Sequence, residues 1–565
     1  MVTPPRLVLG IADNHDAGAC LVADGKLVAA ISEERLDRVK NSGAFPHQAI
    51  QCVLKLAGVA PDELDAVAVG TTFTPAAPLR LLRDAHHALK DDASQFSYLL
   101  HLYILYQVGL KRLGLERLEE GVSRPILRHH LRQDKIKAEI HFVDHHTAHA
   151  HSAALTAPFD PALIVTLDAM GDGTSVTVHR SEAGRLTPLF RQSGRTAINT
   201  YYSRVTEYLG FKPLRHEGKI TGLAAYGRAP EKLLKLMAEQ LHFVGPGFNT
   251  TDYVRPASLQ DPFYRALAGY TREEIAASVQ QNLEQQVGAF VSYWCQKSGL
   301  SQLAVAGGVF ANVKLNQRLL ERPEVSRLHV YPHMSDGGLP AGAALKLGGA
   351  TPGAIETAYL GPEISEVSAE QALRAAGLPF ERPQALAEHV ASLLAQGKVV
   401  ARAAGKLEWG PRALGNRSIL YRPDDRQVND WLNKHLRRTE FMPFAPSTLD
   451  EAADKLYVGL EGARDAARFM TVCFDCTAEM RRQGAGVVHV DGTARPQLVR
   501  AQDNPAYHAL LKAFERKTGL SSVINTSFNM HEEPIVATAE DAIKGWQDAG
   551  LEVLVLGPFV VRRQA

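Results

Sequence analysis

Two stretches in the first third of the chain place apolar runs and polar turns in the same order. RLVLGIADNHDAGACLVADGKLVAAISEE and ALIVTLDAMGDGTSVTVHRSEAGRLTPLF each read as strand, Gly/Asp turn, strand, short Gly turn and strand. They recur about 150 residues apart, too long a period for a solenoid, which predicts duplication of a whole α/β half-domain. Both polar turns would then face one cleft. Between the copies, residues 78–137 read as a helical insertion with an excess of Lys and Arg over Asp and Glu, the composition of a solvated helix surface. After the second copy come helices from about Arg272, the strands LAVAGG and LHVYPH, and a Gly-rich helix start, GGLPAGAALKLGGA. The Gly-, Pro- and Thr-rich stretch GGATPGAIETAYLGPEIS predicts a boundary near 355, giving domains 1–354 and 355–565, the second also α/β.

A chain of 565 residues is too long for one hydrophobic core, which supports two domains. With 62 Lys and Arg against 61 Asp and Glu, the net charge of +1 gives no field that would mark a nucleic-acid or anionic-membrane binder. The N-terminus lacks a signal-peptide core, and Phe96 to Leu110 is too short to span a bilayer, so a cytoplasmic protein with no membrane partner is expected. Five scattered cysteines form no disulfide framework; Cys473 and Cys476, alone as a C-x-x-C, read as part of an apolar strand. Homodimerisation is left open.

Several constellations carry chemistry. His145 and His149 stand four apart, on one helix face, which is the spacing of a metal-ligand pair. Asp168 and Asp336, each at the end of an apolar strand, are the carboxylates that would complete the shell for Fe, Mn or Zn. A polar helix start is the competing reading. Gly307 and Gly308 follow a strand and would let a nucleotide approach the backbone, with Asn312 and Asn316 on ribose hydroxyls. Lys219 lies between glycines and would neutralise phosphate oxygens. The last third holds Arg412, Arg417, Arg437, Arg438 and Arg495 on turns, then Asn525 and Ser527 in INTSFN, a pattern that suits a phosphate.

The duplicated turns match the layout of actin, hexokinase and the heat-shock ATPases. More specifically, NHDAGACLV, ISEERLDRVK, VDHHTAHAHSA, EGKITGLAAYG, AGGVFAN, SDGGLPAGAA, WGPRALGNRSIL, FMPFAPS, DGTARPQLV and INTSFNMHEEPIV occur in one order from residue 8 to 540. In these the chain resembles the nodulation-protein, cephamycin and tobramycin type of O-carbamoyltransferase. The resemblance implies an N-terminal actin-like domain, similar to that of tRNA threonylcarbamoyl transferases, and a C-terminal YrdC-like domain. It implies that the C-terminal domain forms carbamoyladenylate from carbamoyl phosphate and ATP (with Mg²⁺), releasing pyrophosphate. An internal channel would shelter this labile anhydride on its way to an acceptor hydroxyl on a small molecule, sugar or glycan. His145, His149, Asp168 and Asp336 would hold a metal, with Fe²⁺ the family precedent. His15 would be the general base; Lys40 and Lys219 would bind the adenylate, alongside Gly307, Gly308 and Asn312. Arg412, Arg417, Arg438, Arg495, Asn525, Ser527 and His531 would line the carbamoyl phosphate and ATP site. Leu436, Met442 and His531 stand where tobramycin-type members carry cations, which alters the donor pocket. An actin-like kinase and threonylcarbamoyl transfer to tRNA are the competing functions.

Overall fold

The computed structural model describes residues 6–83, 98–250, 258, 260–353, 355–437 and 444–563. The chain forms two compact units, the first from Met1–Glu33 and Asn41–Ile355, the second from Glu34–Lys40 and Glu356–Ala565.

The first unit contains two mixed five-stranded sheets of the same topology. In one, β1 (Leu7–Ala12), β2 (Gly18–Ala23) and β3 (Lys26–Ser32) form an antiparallel meander, and β1 continues in parallel to β4 (Ala66–Val69) and β5 (Glu139–Phe142). In the other, β6 (Ala162–Gly171), β7 (Thr174–Glu182) and β8 (Arg185–Ser193) form the meander, and β6 continues in parallel to β9 (Gln302–Ala306) and β10 (Arg327–Val330). The strand orders, β3-β2-β1-β4-β5 and β8-β7-β6-β9-β10, correspond strand for strand. The duplication read from the sequence is therefore present in the hydrogen-bonded ladders.

Two helices, α4 (His145–Thr156) and α7 (Leu339–Leu347), join the halves. α4 follows the last strand of the first sheet but packs on β6, β7 and β9; α7 follows the last strand of the second but packs on β1, β2 and β4. The two helices also pack on each other, and a Cβ at Gly342 would stand 1.9 Å from the Ala148 carbonyl oxygen. Small residues are thus required along this seam, as AHSAA and LPAGAA provide. The insertion supplies α2 (Tyr98–Leu113) and α3 (Glu116–Gln133), after α1 (His47–Ala57). α5 (Arg272–Ser298) opens with a Thr271/Glu274 capping box and leads, through β9, to α6 (Val313–Leu320). Among the described residues no helix is long and apolar enough to cross a membrane.

The second unit is built on a mixed seven-stranded sheet. Its strands are β11 (Val400–Ala403), β12 (Arg417–Tyr421), β13 (Ala445–Leu449), β14 (Gln497–Val499), β15 (Ser522–Ser527), β16 (Val553–Leu556) and β17 (Phe559–Arg562), in the order β14-β13-β15-β12-β11-β16-β17. α8 (Leu386–Ala395) and α9 (Pro505–Thr518) bury Val390, Leu394, Leu510 and Phe514 against Val400, Leu420, Val523 and Val553. α10 (Ala539–Asp548) has a capping box of Thr538 and Asp541.

One finding was not expected from the sequence: Glu34–Lys40 belongs to the second unit. Arg38 donates to the carbonyls of Ile535 (2.7 Å) and Pro534 (2.8 Å), and Arg35 to that of Gly410 (3.1 Å), so guanidinium groups tie this short segment to carbonyls at least 375 residues along the chain. The C-x-x-C strand is also shorter than read, only Phe474–Asp475; Cys473 and Cys476 are buried and in no disulfide.

Gly307 closes β9 at φ 109°, and a Cβ there would lie 2.2 Å from the Leu167 carbonyl oxygen. Gly307→Ala should therefore destabilise the first unit by about 2–4 kcal/mol through left-handed backbone strain and overpacking. Urea denaturation checks this, and an unchanged midpoint would mean that β9 and β6 can separate at that point.

Candidate functional site

The junction of the two halves brings four buried polar side chains together. His145 and His149 lie one turn apart at the start of α4, whose N-cap Asp144 accepts from the Thr147 N–H at 3.0 Å and pairs with Lys111 at 3.0 Å. Asp168 lies in an irregular stretch of β6, and Asp336 in the turn before α7. Nε2 of His145 and of His149 each lie 3.2 Å from Asp168 Oδ2, and 3.5 and 3.7 Å from Asp336 Oδ1. One ligand atom from each of the four residues fits within 4.8 Å of the others. The Nδ1 atoms of both rings are buried without a partner among the described residues, so Nε2 is the nitrogen each ring presents.

The electrostatics follow from burial. Desolvation opposes a charged His145, but the Asp336 charge and the Asp168 hydrogen bond raise it to about 9. Asp168, against the same desolvation, is held well below the usual carboxylate range by the two histidines. His146 does the opposite: burial, then the charges of His145 and His149, push it down to about 3. It lies between Thr166 Oγ1 (2.7 Å) and the Thr174 carbonyl (2.9 Å), a neutral ring that braces α4 against β6 and β7. Two imidazole nitrogens and two carboxylate oxygens, convergent and buried, make a donor set that fits a first-row divalent cation.

The other expected residues of the first unit separate into two groups. His15 is near the cluster: its Nδ1 is 3.6 Å from Asp336 Oδ2, and its ring is 44% exposed. Gly308 also adjoins it, since a Cβ there would lie 3.1 Å from Asp168 Oδ1. Asn312 is a correction. Its Oδ1 caps α6 by accepting from the Leu315 N–H at 3.0 Å, and its Nδ2 donates to Gln280 at 2.8 Å, so the amide is committed to the fold rather than to a ribose. Asn316 is likewise buried, donating to the Phe310 carbonyl at 2.7 Å. Lys219 sits in the first turn of the helix Glu217–Ala224 with its Nζ 5.7 Å over the Phe211 ring. Lys40 belongs to the second unit, 3.1 Å from Glu34, and its charge is already matched there.

In the second unit, Arg412 and Arg495 stand close enough to repel. Burial, then the Arg495 charge, lowers Arg412 to about 9; burial lowers Arg495 as well, and its Nε is buried without a partner. Two desolvated like charges are poised for an anion. Arg417 is the second correction. It is fully buried, and its guanidinium donates to the carbonyls of Asn416 (2.9 Å), Gly405 (3.0 Å), Pro362 (3.3 Å) and Ala537 (3.3 Å), a structural clamp with no donor aimed at a ligand. Asn525 is a third: its Nδ2 is shared among the Ala413 carbonyl, Ser447 and Gln497, which ties β13, β14 and β15 together. Ser527 ends β15, half-buried, and the His531 N–H donates to the Leu436 carbonyl at 3.2 Å. Arg438 and Met442 lie outside the described residues.

Three residues escaped the sequence reading. Asn14 donates to Asp336; Asp172 accepts the N–H groups of Thr72, Phe73 and His145; Glu408 Oε1 accepts those of Leu414, Asn416 and Arg417, fixing the loop that carries Arg412. Asn14 and Asp172 lie in the repeat turns, but nothing in a sequence says which polar turn residue faces a ligand and which its backbone.

Family models place these two sites in context. Those for the carbamoyltransferase N-terminus and C-terminus match residues 7–345 and 391–563. The chain belongs to the carbamoyltransferase family. It is 33% identical to the nodulation protein NolNO of Sinorhizobium fredii over 97% of this carbamoyltransferase and 79% of that relative. It is also 33% identical to NolO of Bradyrhizobium diazoefficiens over 75% and 79% of the two chains, and 26% identical to nodulation protein U of Rhizobium tropici over 93% and 91%. Solved structures are similar only loosely: the ROK hexokinase from Thermus thermophilus aligns with TM-score 0.29 and 11% identity, covering 60% of this chain and 98% of its own.

The two arginine types in this carbamoyltransferase should respond oppositely. Arg417→Met strands several buried carbonyls and should cost at least about 3 kcal/mol in urea denaturation. Arg495→Ala removes a half-buried charge whose Nε has no partner among the described residues; its melting temperature should hold or rise while the upshift given by pyrophosphate disappears. A normal upshift in Arg495→Ala would remove this arginine from the anion site.

Proposed function

We propose that this carbamoyltransferase is an ATP-dependent O-carbamoyltransferase with an adenylating second unit and a transferring first unit. The observation that carries the reading is the Arg412–Arg495 pair, since two half-buried guanidinium groups, Arg412 lowered by the charge of Arg495, favour a phosphate beside them. Carbamoyl phosphate, ATP (with Mg²⁺) and water would give carbamoyladenylate, phosphate and pyrophosphate. The carbamate oxygen attacks the α-phosphorus, and pyrophosphate leaves. Glu408 holds the Arg412 loop through three backbone N–H groups, so the pocket is preorganised.

The duplicated sheets support an actin-like first unit, and the second is read as YrdC-like. In the first unit the acceptor hydroxyl attacks the carbamoyl carbon, AMP departs, and the hydroxyl proton passes to His15, whose half-exposed imidazole can face an incoming substrate. His145, His149, Asp168 and Asp336 would hold a divalent metal, Fe²⁺ by family precedent. When bound, it supplies Lewis-acid polarisation of the adenylate phosphate. Gly308 leaves room for a ligand beside Asp168, and Lys219 contributes a cation. The acceptor is a hydroxyl of a small molecule, sugar or glycan, and the protein works in the cytoplasm. The duplicated sheets would also suit a kinase, which the products distinguish.

Pyrophosphate release should require both ATP and carbamoyl phosphate; formation of ADP would indicate phosphotransfer instead. His15→Asn should retain pyrophosphate release and lose transfer to acceptor by about 10²- to 10⁴-fold, the usual effect of a general base. A saturating transfer rate within about threefold of wild type would remove His15 from catalysis.

A further inference from the structure

The turn after β1 is held more firmly than a surface turn requires. Asp13 is fully buried and meets two arginines from the start of the helical insertion. Arg80, also fully buried, grips the carboxylate with Nε at 3.0 Å and Nη2 at 3.2 Å, while its Nη1 donates to the Thr72 carbonyl at 2.8 Å and Ser123 Oγ at 2.9 Å. Arg83 Nη2 reaches the same carboxylate at 2.7 Å, and its Nη1 donates to the carbonyls of Asp13 (2.9 Å) and Gly43 (3.3 Å). Burial would raise the Asp13 carboxyl, but the two guanidinium charges prevail and hold it well below the usual range. Gathering three charges out of water carries a desolvation penalty that largely cancels their attraction. What the arrangement supplies is a turn with one geometry.

The next residue uses that geometry. Asn14 is fully buried, and its Nδ2 donates to Asp336 Oδ2 at 2.7 Å. Its Oδ1 accepts from the Asp16 N–H at 3.4 Å, so the amide cannot flip without losing both partners. With Oδ2 engaged, Oδ1 is the oxygen that Asp336 turns toward His145 and His149, at 3.5 and 3.7 Å.

We propose that Asn14 is the positioning residue of the His/Asp cluster, selecting the Asp336 oxygen offered to the metal, and that Arg80 and Arg83 make the helical insertion its support. The start of the insertion is then a brace for the metal centre. This rests on the reading of the four side chains as metal ligands. Second-sphere partners of this kind typically change metal affinity by about 10- to 100-fold, because they fix the ligand before the metal arrives.

The test is titration of the metal-free full chain with Co²⁺ against a chromophoric chelator, recording the d–d spectrum. The variants are Asn14→Ala, Arg83→Lys and His149→Ala. Asn14→Ala should bind about 10- to 100-fold more weakly, with an altered spectrum and a metal-free melting temperature like that of wild type. Arg83→Lys keeps the charge beside Asp13 but loses part of the fork; it should weaken binding in the same direction by a smaller factor. His149→Ala should abolish the spectrum. If wild type binds, His149→Ala does not, and both Asn14→Ala and Arg83→Lys bind within about threefold of wild type, the positioning role is wrong while the metal centre stands. If His149→Ala binds like wild type, or wild type gives no Co²⁺ spectrum, both readings fall.

Discussion

Two carboxylates and two imidazoles, with ligand atoms buried within 4.8 Å of one another, must balance their charges locally, because burial removes them from bulk solvent. The architecture of the first unit serves this constraint. α4 and α7 each leave one half of the duplicated fold and pack on the sheet of the other, so the two histidines of α4 meet the carboxylates of β6 and of the turn before α7. Without an added cation, the balance falls on His145, which is raised to about 9 with Asp336 and Asp168 against it. A divalent metal held by these four residues would supply positive charge in place of that proton.

The second unit has the opposite arrangement. Arg412 is desolvated with Arg495 adding to its strain, and the loop between them and the sheet is fixed by Glu408. One unit thus gathers histidines and carboxylates, the other arginines. The chain belongs to the carbamoyltransferase family, and under the proposed function the two clusters divide the work, one making the activated carbamoyl donor and the other transferring it.

Much of this was legible in the sequence, for physical reasons that also mark where reading stops. The duplicated alternation of strand and turn translated directly into two sheets of one topology, because side-chain alternation and strand pairing share a period. His145 and His149 were visible because helical spacing fixes their relative direction. Arg412 and Arg417 lie five residues apart in one motif, yet one meets another arginine and the other is spent on carbonyls. Burial and backbone donors decide between those fates, and neither is written in residue type. Asn312 misled in the same way, since capping a helix and binding a ribose use the same amide. The transfer of Glu34–Lys40 to the second unit escaped because a segment's packing partners are set by tertiary contacts hundreds of residues away.

The central claim is that the buried His/Asp cluster is a metal centre. X-ray diffraction from crystals of the chain purified without chelators, recorded on both sides of a transition-metal absorption edge, addresses it most directly. The account predicts one anomalous peak lying among His145 Nε2, His149 Nε2, Asp168 and Asp336. A well-ordered cluster with no anomalous density there, after soaking in Fe²⁺, Mn²⁺ and Zn²⁺ in turn, would contradict it.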